Sequence, residues 1–192
     1  MEKLTNEEKA KIMALPLIEL EGDDIKNTDS VMKGIKDVFA TMELPLIDEL
    51  VNGSEYHLVY SREDGDLVYM VQATYHSDYP VIMLTIEYSE VLKGKRRKKI
   101  AELINLLNIG FPMSCITMIP NAGVVIKSVL LLSRWFNTQE LFWNLKSLLF
   151  AASCYLVMKA AVTQSNETPE AIVKRFNNNL QELKDAESRP SE

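Results

Sequence analysis

A chain of 192 residues is long enough to bury roughly 70% of the surface that its unfolded form exposes, so one core is expected without metals or disulfides. Its 47% hydrophobic and 25% charged residues exclude wholesale disorder, and 7 Gly with 7 Pro exclude a low-complexity chain. The net charge of −6 argues against general affinity for nucleic acid.

The start, MEKLTNEEKAKIM, is rich in acid and has no apolar segment of the secretory kind, so the expected location is the cytoplasm. Thr5 with Glu8 three positions later is a capping-box pattern, and Ile12, Met13 and Leu15 follow before Pro16 stops the helix. The polar stretch EGDDIKN closes this N-terminal helical arm, 1–27. Asp29 or Ser30 caps a second helix, in which Val31, Ile35, Val38, Phe39 and Met42 recur at near-helical spacing until Pro45. Residues 46–51 read as a further turn of helix before the turn dipeptide Asn52-Gly53.

Three strand-like runs come next, 55–62, 67–75 and 79–88. Asp64-Gly65 between alternating apolar runs is a strong hairpin signal, because Gly takes positive φ without steric cost. The second join, His76-Ser77-Asp78, is also short, and two short joins in succession give an antiparallel meander. The middle run carries apolar groups on both faces, which predicts a central strand with helices on one side and room for a partner chain on the other.

A helix over 95–108 places Ile100, Leu103, Ile104 and Leu107 on one stripe, and Asn108 with Gly110 suits its end. Runs 111–119 and 124–133 form a second hairpin across Pro120-Asn121-Ala122-Gly123. Asn137 with Glu140 starts a long helix to about Thr163, and Thr168-Pro169-Glu170 starts a last one with Ile172, Phe176, Leu180 and Leu183 as its stripe. The apolar run 147–158 lies between Lys146 and Lys159 and falls short of the ~20 residues that cross a bilayer, so it reads as a buried helix and not a membrane span. Cys115 and Cys154 both sit in apolar surroundings and read as buried structural thiols. The order α, α, β-β-β, α, β-β, α, α predicts an α+β fold: an antiparallel sheet of about five strands (β-β-β-α-β-β) with helices packed on one face. Residues 28–163 form that domain, and 164–192 a C-terminal amphipathic helix and tail.

Lys93, Lys95, Arg96, Arg97, Lys98 and Lys99 put six positive charges together, and cations in a helix's first turn oppose its macrodipole by a few tenths to about 1 kcal/mol each. They suit an anion or an acidic partner surface, or else acids of the same fold such as those of EDGD or EGDD. His57 and His76 lie in or beside different strands with no ligands at metal spacing. Asp64 and Asp66 suit a hairpin turn better than a cation loop. There is no GxGxxG, no GxxxxGK[ST] and no nucleophile elbow, so no metal, cofactor or catalytic residue is assigned. Trp135, Phe136, Phe142 and Trp143, with the stripe Ile172, Phe176, Leu180 and Leu183, are the candidate interface.

The LINLLN sequence at 103–108, the hairpin around Gly123 and the aromatic and aliphatic face of the helix after Asn137, taken with the element order over 30–162, resemble the YbjN-like domains. These are described as bacterial sensory-transduction regulators and look like type III secretion chaperones in fold. The resemblance implies a bacterial, cytoplasmic, non-enzymatic domain that pairs with itself or with another protein, and it supplies no catalytic residues. The N-terminal arm, the basic run and the extra C-terminal helix lie outside the family's pattern. The expected function is therefore a chaperone-like or regulatory module, a homodimer that binds another protein. The alternatives are a small hydrolase or transferase with a site not visible in the sequence, and anion or nucleic-acid binding through 93–99.

Overall fold

Thr5 and Glu8 make the reciprocal cap that their spacing calls for. Thr5 Oγ1 accepts from the Glu8 N–H at 3.1 Å, and the Glu8 carboxylate accepts from the Thr5 N–H at 2.7 Å, starting α1 (Asn6–Met13). Those bonds favour the charged carboxylate and hold Glu8 below the usual carboxylate range. The structure, a computed structural model, describes all residues except 1–3, 21–23, 65–66, 91, 121–122 and 188–192. The side chains of 24–26, 63–64, 67–69, 183–184 and 187 are likewise outside the description.

Two short strands that sequence periodicity does not reveal tie the arm down. β1 (Leu17–Glu19) pairs antiparallel with β8 (Trp135–Asn137), and Arg134 donates to Glu19 Oε1 from Nε at 3.0 Å and from a terminal nitrogen at 2.7 Å. The buried Thr138 hydroxyl donates to the Pro16 carbonyl. α2 (Asp24–Thr41) begins earlier than Asp29 or Ser30 and buries Val31, Ile35, Val38 and Phe39 as expected. At Gly34 it lies so close to the β1–β8 pair that an added Cβ would stand 2.6 Å from Phe136 Cε1 and 2.8 Å from Ile18 Cδ1.

The turn of helix expected over 46–51 is instead a strand, β2 (Leu46–Asn52), paired with β3 (Glu55–Asp64) across a two-residue turn. Gly53 takes φ 62° there, which only Gly adopts without cost. The meander then follows as predicted through β3, β4 (Leu67–His76) and β5 (Val81–Ser89). The register Asp64↔Leu67 places the first join at 65–66, so the DG turn and Asp66 lie outside the described residues. α3 (Gly94–Gly110), β6 (Cys115–Ile119), β7 (Gly123–Leu131), α4 (Thr138–Gln164) and α5 (Pro169–Glu187) complete the order. Asn121 and Ala122 of the PNAG turn are likewise outside the description.

The result is α+β, with one more strand than expected: a six-stranded antiparallel sheet ordered β2-β3-β4-β5-β7-β6 and the separate β1–β8 pair. Alternate residues of each inner strand face the helices. Leu58, Tyr60, Val71, Ala73, Ile82, Leu84, Ile86, Ile116, Val124 and Ile126 are buried with α2, α3 and α4 in one core, which Ile12 and Leu15 of the arm and Ile172 of α5 also join. Asn108, the last residue of LINLLN, does more than end α3. Its amide donates to the Ile116 carbonyl at 2.9 Å and accepts from the Ile116 N–H at 2.8 Å, so the side chain holds β6 as a neighbouring strand would.

α4 is the central helix. The Asn137 side chain accepts from the N–H groups of Gln139 and Glu140, as its cap position predicts. By length and composition α4 is apolar enough to cross a membrane, and half of that window is buried inside this chain, as in the core helix of a globular protein.

The two cysteines differ. Cys154 is buried on α4, where burial pushes its thiol from 9.0 up to about 11, whereas Cys115 is exposed on β6, correcting the expectation that both are buried. A thiol-exchange reagent should therefore label one cysteine in the native chain and the second only in denaturant. A folded-state value raised above the unfolded one gives stability that is complete below about pH 9 and lost as pH climbs towards 11. Urea midpoints against pH should fall across that window, with a shallower slope in Cys154→Ala; an identical slope would remove Cys154 as a cause.

Candidate interaction surfaces

The face of the sheet turned away from the helices has no other element of the chain upon it among the described residues. Its pleat sets out cross-strand rows: Glu55, His76, Val81 and Leu131, then His57, Thr74, Met83 and Val129, then Val59, Gln72, Thr85, Lys127 and Cys115. The centre is polar and internally bonded. His57 Nδ1 lies 2.9 Å from Gln72 Nε2 and 3.1 Å from Thr74 Oγ1. If the Gln72 amide donates to Nδ1, the ring proton belongs on Nε2, which faces Glu55 Oε2 at 3.4 Å. His76 Nδ1 stands 3.4 Å from Glu55 Oε1, so one carboxylate lies between both histidines of the chain. Among the described residues no group of three His, Cys, Asp or Glu is placed to hold a metal ion. Beside this centre the face exposes Met70 (61%), Val129 (51%) and Leu131 (76%), with Glu87, Thr117 and Lys127 exposed among them.

Both ends of the sheet are open edges. β2 is exposed along its whole length, and its Leu46, Ile47, Leu50 and Val51 stand in solvent. The Glu49 N–H donates to Asp48 Oδ1 at 2.8 Å, and a register shift between Leu46 and Asp48 interrupts the ladder; both blunt an edge against further pairing. At the other end β6 stops pairing at Cys115↔Lys127, and β7 runs on over 128–131 without a strand beside it on that side.

The helical side supplies a second apolar surface. Trp143, Phe150 and Val157, spaced by seven along α4, are 41%, 37% and 57% exposed. Of the interface residues named from the sequence, Trp135 and Trp143 are exposed, and Phe176 and Leu180 are half-buried against α3 and α4. Phe136, Phe142 and Ile172 are buried in the chain's own core, which withdraws them from any partner; the Leu183 side chain is outside the description.

The basic run divides in two. Arg96 pairs with Glu90 at 2.7 Å, and Lys159 of α4 pairs with the same carboxylate. Lys99 donates to the Ser165 and Glu167 carbonyls at 3.4 and 3.5 Å, beyond the end of α4. Lys93, Lys95, Arg97 and Lys98 are exposed on the first turn of α3, which holds no acid. Glu90 is the partner among the described residues, and the side chains of EDGD and EGDD lie outside the description.

Compared with protein-family models, with curated proteins and with solved structures, this chain matches none. Its surfaces therefore carry the functional argument alone. Sequence reading missed the Glu55, His57 and His76 cluster, although the signal was present. Residues two apart share a strand face, and the β3–β4 register sets His76 opposite Glu55.

Proposed function

We propose that this chain is a non-catalytic protein-interaction module, chaperone-like or regulatory, which acts in the cytoplasm as a homodimer and binds another protein. The observation that carries the reading is the sheet's outer face, where Met70, Val129 and Leu131 stand exposed beside polar groups and no helix among the described residues covers them. Exposed apolar patches rimmed by polar groups mark interaction sites. The order α2, β2-β3-β4-β5, α3, β6-β7-β8, α4 supports the same reading, because apart from the added strands β2 and β8 it follows the order that resembles the YbjN-like domains and the type III secretion chaperones. The dimer contact is assigned to α4, whose Trp143, Phe150 and Val157 recur at the seven-residue spacing by which two helices pack.

Light scattering at micromolar concentration should give twice the chain mass, and Trp143→Glu with Val157→Glu should give one. Pull-down from source cells should recover a partner that Met70→Glu with Val129→Glu loses while the dimer persists. A wild-type monomer whose captured proteins do not change with the sheet-face variant would overturn the reading.

A further inference from the structure

The arm closes over one end of the helix-facing side of the sheet and leaves a cleft of about 280 Å³ between α1, the end of α2, β3 and α4. Its floor holds Arg62, which lies two residues beyond Tyr60 on the inward face of β3, where the strand's period sets it among core residues. The Arg62 Nε is buried and donates to nothing in the chain. A buried donor without an acceptor is costly, and a guanidinium presents a planar fork suited to a carboxylate. Lys146 of α4 and Lys11 of α1 line the same cleft, with Glu8 and Glu43 as its carboxylates. Glu8 is engaged by the Thr5 N–H and Lys11 by Glu7 at 3.1 Å, whereas neither Arg62 nor Lys146 pairs with a carboxylate among the described residues, and of the two only Arg62 has a buried donor left unused. A cation with no carboxylate beside it suits an anionic oxygen from a ligand. The apolar groups half-open to the cleft are Leu4 and Met42, while Ile12 and Phe142 each keep only 5% of their surface exposed.

We propose that this cleft binds a small amphipathic monocarboxylate, its carboxylate on the Arg62 guanidinium and its hydrocarbon against Leu4 and Met42. A cleft of this size packed at protein density takes a chain of about eight carbons. The ligand joins the arm to the sheet, so occupancy stabilises the seated arm. The inference is independent of the partner-binding reading, which uses the opposite face of the sheet.

Calorimetry and thermal melts of the full chain with octanoate, 1-octanol and inorganic phosphate test it. Octanoate should bind and raise the melting temperature, while octanol and phosphate at equal concentration should do so far less. Arg62→Met should weaken octanoate by about tenfold or more, since it removes a charge-assisted pair, and should fold at least as well as wild type. Should Arg62→Met fail to fold, Lys146→Ala at the rim should weaken octanoate by a smaller factor without loss of structure. Absence of octanoate binding at millimolar concentration, equal binding of octanol or phosphate, or unchanged affinity in a folded Arg62→Met chain would each overturn the proposal.

Discussion

Gly123→Ala should be the most damaging single-methyl change in the chain. Gly123 has φ 133°, and a Cβ built there stands 1.9 Å from the Tyr88 carbonyl oxygen and 2.8 Å from the Glu90 nitrogen, both backbone atoms of the β5 end. Neither can step aside as a side-chain tip could, so β5 and β7 must separate where Ser89 pairs with Gly123. The expected loss is on the order of 4 kcal/mol, a large part of the ~5–15 kcal/mol that holds a typical domain folded. Urea unfolding followed by circular dichroism measures it. Gly53→Ala is the comparison: φ is also positive, but nothing stands within 4 Å, so only the backbone penalty of about 1 kcal/mol remains. Equal midpoints for the two variants would refute the steric argument.

Phe39→Ala should come next. The Phe39 ring is fully buried and stacks on Tyr60 with centroids 3.8 Å apart and planes at 17°, the point where α2 meets the sheet. Removing it leaves a cavity beside a ring that has lost its neighbour, at a cost of about 3–5 kcal/mol. Tyr60→Phe should behave oppositely. The Tyr60 hydroxyl is buried and has no hydrogen-bond partner, and burial pushes its ionisation well above the usual tyrosine range. Deleting that oxygen keeps the stack and removes an unpaired polar atom, so stability should hold or rise. A melting temperature that falls as far in Tyr60→Phe as in Phe39→Ala would show that the hydroxyl, and not the ring contact, is what this junction needs.

The features legible in the sequence are those written by neighbouring residues. The caps at Thr5 and Asn137, the stop at Pro16, the start at Pro169 and the three-strand meander each follow from side chains within a few positions of one another. β2 was misread because Leu46, Ile47, Leu50 and Val51 recur at helical spacing, whereas the strand is imposed by the turn at Gly53 and by pairing with β3. It buries no face, so no alternation announced it. Charge was legible at 93–99, but Glu90 as partner of Arg96 and Lys159 depends on the packing of α3 beside α4. Aromatic composition singled out Phe136, Phe142, Trp135 and Trp143 together, and only the fold divides them into two buried and two exposed. Arg62 was legible by strand alternation from Tyr60, once an arginine on the inward face is taken as a question about what it meets.

The clasp between Pro16 and Thr138 joins residues 122 positions apart. A ribosome that has added Pro16 must add 122 further residues before that contact can close. Until then Ile12 and Leu15 lack part of the core that will shelter them, and a nascent chain stalled ahead of Thr138 presents that greasy segment to the holdases and proteases that patrol translation.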